Sequence, residues 1–182
     1  MIDEIYIDNF RCLTNFRIRP AAFQLWLGDN GSGKSTVFDV LRRIQLLLRG
    51  AHHVEDIFDL ASLTLWDQRE QQAIKVSMTI ENNVYEYHLI VDCSRRARKV
   101  RIGREELKWN GATFFLFDGT DAHLYRINHE TNQPEEGVSF SADWSRSLVS
   151  TIADREDNWP LSKFREAVSN WLLISPVPHV IN

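Results

Sequence analysis

The 182-residue sequence has few cysteines, no long apolar run and little net charge. Its two cysteines, Cys12 and Cys93, have neither metal-binding nor redox spacing, which favours a reducing compartment. No apolar stretch is long enough to span a membrane, and the acidic N-terminus predicts no signal peptide. The net charge of −4 gives no global reason to expect nucleic acid as a partner. We therefore expect a cytoplasmic protein without a membrane partner.

The rest of the composition is that of an ordinary globular protein. Hydrophobic residues make up 43% of the chain and charged residues 25%, and the length suits one domain with a substantial core. We find no internal repeat and no low-complexity segment. Composition by itself therefore indicates no particular function, and any functional signal lies in local motifs.

One motif stands out: residues 28–36 are GDNGSGKST, which fits G-x-x-x-x-G-K-[ST] at every constrained position. Such a match arises by chance in about one in a thousand chains of this composition. The apolar run over 21–27 predicts a strand before the loop. Apolar residues at helical spacing over 37–48 predict a helix after it, with Gly50 at its C-terminal end. Strand, loop and helix thus occur in the order that a phosphate-binding loop requires.

The chemistry of this motif follows from its backbone. Glycines allow the loop to curl, so that successive N–H groups point inward at the positive end of a helix and form an anion site. Lys34 is expected to contact the β- and γ-phosphates as the catalytic side chain, and the Ser35 hydroxyl is expected to bind Mg²⁺. The predicted nucleotide-binding residues are Gly28, Asp29, Asn30, Gly31, Ser32, Gly33, Lys34, Ser35 and Thr36.

Alternation and turn residues predict the remaining organisation. Residues 2–8 and 13–19 are predicted to pair as antiparallel strands beside the strand that enters the loop. Asn110-Gly111 is a strong two-residue hairpin signal. The other predicted segments are a connector over 51–71, an antiparallel meander over 72–128, a surface loop over 129–142, a short helix over 144–153, and a helix over 161–173 that Pro160 opens and 175–178 ends.

The first fifty residues resemble a known family. An opening strand with Ile-Asp-Asn-Phe-Arg at 7–11, a second strand and then GDNGSGKST are similar to the start of ABC-type ATPase heads. The similarity is greatest to the SMC, RecF and OLD-like group and to related bacterial AAA-annotated ATPases. SMC-type loops usually carry Asn where this chain has Thr36, which leaves the subfamily open. The resemblance implies an α/β fold with a P-loop NTPase core, an antiparallel β sub-sheet and C-terminal helices. It also makes Arg11 a candidate nucleotide contact, the alternative being an ordinary exposed arginine at a hairpin turn.

Several motifs of that family are missing from the sequence. There is no signature motif, no strand ending in Asp-Glu and no switch histidine. The run from Phe114 to Asp118 has the form of a Walker B strand, but it follows a hairpin turn directly and is therefore predicted to be antiparallel. Gly119 also stands where the family has its catalytic glutamate. We reject the Walker B interpretation.

We therefore expect residues 1–182 to form a single, incomplete lobe of an ATPase head. It would bind ATP and Mg²⁺, and it would hydrolyse ATP only when the C-terminal half of the head, in a longer chain or another protein, supplies the missing groups. The resemblance also implies that two heads dimerise around ATP. Two alternatives remain open: a small P-loop kinase, and a nucleotide-gated interaction module without turnover.

A second local feature is a cluster of six cations within ten residues. Dense positive charge is typical of sequence-independent contact with a phosphate backbone, so the cluster is a candidate DNA contact. Glu105 and Glu106 follow directly, however, and no aromatic residue is interleaved to stack on bases. A solvated hairpin or a charged edge strand is the preferred interpretation, with weak DNA binding at most. The cluster comprises Arg95, Arg96, Arg98, Lys99, Arg101 and Arg104.

Overall fold

An antiparallel sheet of eight strands organises the chain in the computed structural model, which describes residues 1–128, 130–131 and 133–174. The strands are β1 (Ile2–Asp8), β2 (Phe16–Ile18), β3 (Gln71–Ile80), β4 (Asn83–Ser94), β5 (Lys99–Trp109), β6 (Ala112–Phe117), β7 (Asp121–Asn128) and β8 (Gln133–Ser141). Their order across the sheet is β2-β1-β3-β4-β5-β6-β7-β8, and each neighbouring pair is antiparallel. The predicted meander and the predicted pairing of the first two strands are confirmed.

Period-two alternation decides which face of the sheet is buried. In β4 the side chains of Tyr85, Tyr87 and Leu89 are buried, whereas Glu86 between them is exposed. The β5–β6 hairpin turns at Asn110 and Gly111, whose φ angles of 49° and 82° are both positive, as a type I′ turn requires. This hairpin is the one that the sequence predicts.

Four α-helices among the described residues contribute the second layer of the fold. They are α1 (Lys34–Leu48), α2 (Val54–Ile57), α3 (Leu148–Thr151) and α4 (Trp159–Ser169). The ring of Phe164 on α4 packs on Tyr85 and Tyr87, with centroids 6.0 and 5.3 Å away, and thereby joins the helical layer to the sheet. The predicted first helix is confirmed, and its predicted apolar residues are buried: Val37, Val40, Leu41, Ile44, Leu47 and Leu48.

The last helix ends earlier than its sequence pattern predicts. It stops at Ser169, and the buried amide of Gln45 on α1 donates hydrogen bonds to the carbonyls of Val168 and Trp171, at 3.0 and 2.8 Å. These contacts fasten the end of α4 and the residues just after it to α1. Trp171 therefore follows the helix and does not extend its apolar stripe. The predicted helix stop at 175–178 lies outside the described residues.

Two predictions about extended segments are wrong. Residues 21–27 do not form a strand, because none of the described strands lies beside them to pair with their backbone; Phe23, Leu25 and Leu27 are 92%, 73% and 84% exposed. Conversely, β8 occupies much of the predicted loop over 129–142 and pairs with β7. Its position at the sheet edge explains the polar sequence, since only one of its sides meets another strand.

The observed class is therefore α/β, with an antiparallel sheet and helices that include two near the C-terminal end. Within the described residues, no helix combines the length and the apolar character that a membrane crossing requires.

Candidate functional site

The loop before α1 has the backbone of an anion site. Gly31 and Gly33 have φ angles of 85° and 93°, in the left-handed region that glycine enters without strain. Gly33 is the N-cap of α1, and its lack of a side chain leaves the first turn without a side-chain acceptor. The N–H groups of Gly33, Lys34 and Ser35 have no acceptor in the part of the chain that the structure describes. These free donors lie at the positive end of a 15-residue helix, where an anion is stabilised.

Lys34 folds back over this loop. Its ammonium group donates to the carbonyls of Gly28 and Asp29, at 2.6 and 2.7 Å, and to the Ser32 hydroxyl at 3.1 Å. Among the described residues, only neutral acceptors therefore hold this charge at the mouth of the loop. A phosphate oxygen is a stronger acceptor for an ammonium than these groups, so Lys34 is placed to exchange them for an anion.

An open cavity of about 580 Å³ adjoins the loop, within the size range of small-molecule sites. Lys34 and Ser35 line it at the end of the loop, and the rings of Trp26 and Phe38 lie 5.4 Å apart on its wall. The other lining residues are Arg11, Gln24, Leu25, Asp39, Arg42, Leu173 and Ile174.

The Asn-Phe-Arg element reaches this cavity from the sheet, and each of its three residues has a different role. Asn9 is fully buried and fastens the turn: its amide donates to the carbonyls of Arg69 and Gln71, both at 2.9 Å. Phe10 is also fully buried and packs edge-on against Phe58. Arg11 is half exposed and lines the same cavity as Lys34. The structure thus brings the predicted Arg11 to the predicted loop, although no strand joins the two along 21–27.

Asp39 is a site residue that the sequence pattern did not single out. It lies one turn after Ser35, on the same face of α1, and its Oδ2 atom is 3.2 Å from Nη2 of Arg11 and accepts a hydrogen bond from Nε of Arg43 at 3.0 Å. The available signal was the i,i+4 spacing between Asp39 and Arg43 and between Ser35 and Asp39.

The residues fit a nucleotide phosphate better than they fit a metal alone. The free N–H groups and Lys34 suit phosphate oxygens, and the exposed Ser35 hydroxyl could add one oxygen ligand to Mg²⁺. Within the described residues, no group of three His, Cys, Asp or Glu side chains is close enough to hold a metal ion. Mg²⁺ at this site would accordingly depend on phosphate oxygens and water for its remaining ligands.

Asp118 directly follows β6, which is antiparallel to β5, as the sequence predicts, and also to β7. Its carboxylate accepts N–H bonds from Thr120 and Asp121, at 3.0 and 2.9 Å, and these backbone bonds hold its pKa below the usual value. The carboxylate thus shapes the β6–β7 turn, and in sheet order β6 is four strands away from β1.

The cationic cluster is already partly neutralised. Arg95 is held by the carbonyls of Asp67 and Gln68, Arg101 pairs with Asp92 at 3.0 Å, and Arg104 pairs with Glu106 at 3.1 Å. Arg96 and Arg98 in the β4–β5 turn and Lys99 at the start of β5 are exposed and form no ion pair with the described residues. With Arg95, whose partners are neutral carbonyls, four of the six cations keep an uncompensated charge among the described residues, a small number that fits the expectation of weak binding.

Compared with known proteins, the sequence matches no protein-family model, and no curated protein is significantly similar to it.

Proposed function

We propose that this chain is the nucleotide-binding lobe of an ABC-type ATPase head of the SMC, RecF and OLD-like group, and that it binds ATP with Mg²⁺. The observation that carries the proposal is the loop Gly28 to Thr36, with free N–H groups at the start of α1 and the Lys34 ammonium held over its mouth. In this proposal the backbone and Lys34 bind the phosphates, Ser35 contributes a ligand to Mg²⁺, and Arg11 adds a second cation from the side.

The unpaired segment over 21–27 supports a second part of the proposal: another half completes the head. This segment is apolar and leads directly into the loop, but its side chains other than Trp26 are exposed and it pairs with none of the described strands. Such a segment is stabilised when a neighbouring strand covers it and accepts its hydrogen bonds. We propose that the C-terminal half of the head, in a longer chain or another protein, provides that strand and the groups for hydrolysis, and that two completed heads dimerise on ATP in the cytoplasm.

The architecture favours this proposal over a complete P-loop kinase. A kinase requires a catalytic carboxylate on a strand beside the one that enters the loop. Among the described strands, every pair is antiparallel and none flanks residues 21–27. A nucleotide-gated module without turnover uses the same loop contacts, and measurement of hydrolysis in the completed head separates it from an ATPase.

Calorimetric titration with ATP and Mg²⁺ tests the binding proposal through Lys34→Ala. The variant loses the charge-assisted hydrogen bonds from Lys34 to two phosphates. The net loss of binding free energy is smaller than the strength of these bonds, because wild-type Lys34 must give up its three contacts in the free loop when it binds ATP. We expect a net loss of about 3 kcal/mol, or roughly a hundredfold in affinity.

Lys99→Ala is the matched control, because it removes the same side chain from an exposed position at the start of β5. It should leave the affinity unchanged. If wild type and Lys34→Ala bind ATP equally, or if the wild type does not bind it at all, the loop does not hold phosphates and the proposal fails.

A further inference from the structure

A network of three charged side chains connects the turn at Arg11 to the face of α1 that carries Ser35. Asp39 lies at its centre, with Arg11 on one side at 3.2 Å and Arg43 on the other at 3.0 Å. The two arginines are in different environments: 47% of the Arg11 side chain is exposed, but only 15% of that of Arg43.

Arg43 is the fixed member of this network. Its guanidinium lies 5.2 Å from the centroid of Phe10 and 5.8 Å from that of Phe58, and it also donates to the carbonyl of Ile57. Its hydrogen bond to Asp39 therefore anchors the carboxylate on the side away from Arg11.

Arg11 is the free member. Its backbone is fixed, with a φ of 50° and an N–H bond of 2.7 Å to the carbonyl of Ser62, and its guanidinium lies over the Phe10 ring at 5.5 Å. Yet in the described part of the chain the guanidinium donates no hydrogen bond; its approach to Asp39 is an ion pair without hydrogen-bond geometry. Its N–H donors are therefore not committed to a protein acceptor among the described residues, and Arg11 lines the cavity in which an anion would bind.

We infer that Asp39 is a positioning residue for the nucleotide site: held by Arg43, it keeps the Arg11 guanidinium at the cavity wall, facing the phosphates that the loop and Lys34 bind. This inference rests on the proposed nucleotide function. It assigns to Asp39 an effect opposite to that of its charge, since a carboxylate near a polyphosphate would by itself weaken binding. The benefit of a pre-positioned arginine acts only while Arg11 is present.

The test is a double-mutant cycle in which calorimetry measures the dissociation constant for ATP with Mg²⁺. The four proteins are the wild type, Asp39→Asn, Arg11→Ala and the double variant. Asparagine keeps the shape and can still accept the bond from Arg43, and urea unfolding verifies that each variant folds. We expect Arg11→Ala to weaken binding about tenfold, the effect of one charged hydrogen bond. Asp39→Asn should weaken binding when Arg11 is present and strengthen it when residue 11 is alanine.

The difference between the two backgrounds decides the inference. The inference is supported if the factor by which Asp39→Asn raises the dissociation constant is at least about threefold larger with Arg11 than with alanine at residue 11. A smaller difference, or one of the opposite sign, overturns it. Arg42→Ala provides the matched control cycle, because Arg42 lines the same cavity but bonds to the carbonyl of Leu173 instead of Asp39. It should show no such coupling to Asp39. If the wild type does not bind ATP, the proposed function itself has failed, which is distinct from ATP binding without coupling.

Discussion

Gly33 lies between the loop over 28–36 and α1, against the β1–β2 turn. Its replacement by alanine tests how closely the loop packs on that turn. Its φ of 93° belongs to the left-handed region, and a Cβ atom there would lie 3.0 Å from Cδ2 of Leu13 and 3.2 Å from Sγ of Cys12. Both distances are tighter than ordinary carbon contacts. Gly33→Ala therefore combines backbone strain with crowding.

Gly111 separates these two contributions. Its φ is 82°, similar to that of Gly33, but a Cβ atom there would have no neighbour within 4 Å. The left-handed conformation costs alanine about 1–2 kcal/mol, and restriction of the unfolded chain offsets about 0.4–1 kcal/mol of this. We expect Gly111→Ala to lower the free energy of unfolding by about 1 kcal/mol. Crowding adds about 1–3 kcal/mol at Gly33, so that Gly33→Ala should cost about 2–4 kcal/mol.

Urea unfolding followed by circular dichroism measures both changes. Equal costs for Gly33→Ala and Gly111→Ala, within about 0.5 kcal/mol, would refute the close contact between the loop and the β1–β2 turn. A second measurement uses Leu13→Ala as the background, because this change removes the atom nearest to the new methyl group. There the additional cost at Gly33 should fall; an unchanged cost would count against Leu13 as the neighbour.

Three further predictions concern turnover, the buried carboxylate and DNA. The 182-residue chain should bind ATP but hydrolyse it no faster than Lys34→Ala does in a phosphate-release assay, and clear turnover above that variant would revive a complete enzyme. Glu105 is fully buried and accepts hydrogen bonds from Tyr87, Ser147 and the Leu148 N–H group. Glu105→Ala leaves these donors without an acceptor and should lower the free energy of unfolding by about 3–5 kcal/mol. Glu105→Gln should lower it by much less. Burial raises the pKa of Glu105, so the folded state binds this proton more tightly than the unfolded state. The stability of the wild type should therefore fall relative to Glu105→Gln as pH rises from about 4.3 through the folded-state pKa; parallel pH profiles would contradict this. In a salt titration, duplex DNA binding should be weak and lost by physiological salt, and tight binding that disappears when Arg95, Arg96 and Arg98 become glutamate would make the turn a DNA contact.

Local patterns in the sequence were enough to determine the elements whose partners are close along the chain. The helix after Lys34, the Asn110-Gly111 hairpin and the antiparallel meander each depend on period and turn chemistry within a few tens of residues. The loop over 28–36, which we propose binds phosphates, is equally local, because its glycines and the helix behind it follow one another directly. For the same reason the antiparallel direction of β6, on which the rejection of Asp118 as a Walker B residue depends, could be predicted from a single hairpin turn.

Tertiary structure decided the features that depend on distant neighbours. Residues 21–27 have the apolar composition of a strand but are not one, since a strand is defined by the backbone beside it and none of the described strands lies there. β8 has a polar, turn-rich sequence and still pairs, because β7 offers it an edge. The meeting of Arg11 with Asp39 and Arg43 depends on the way the β1–β2 turn packs against α1, and spacing along the chain could not have placed these three charges around one cavity.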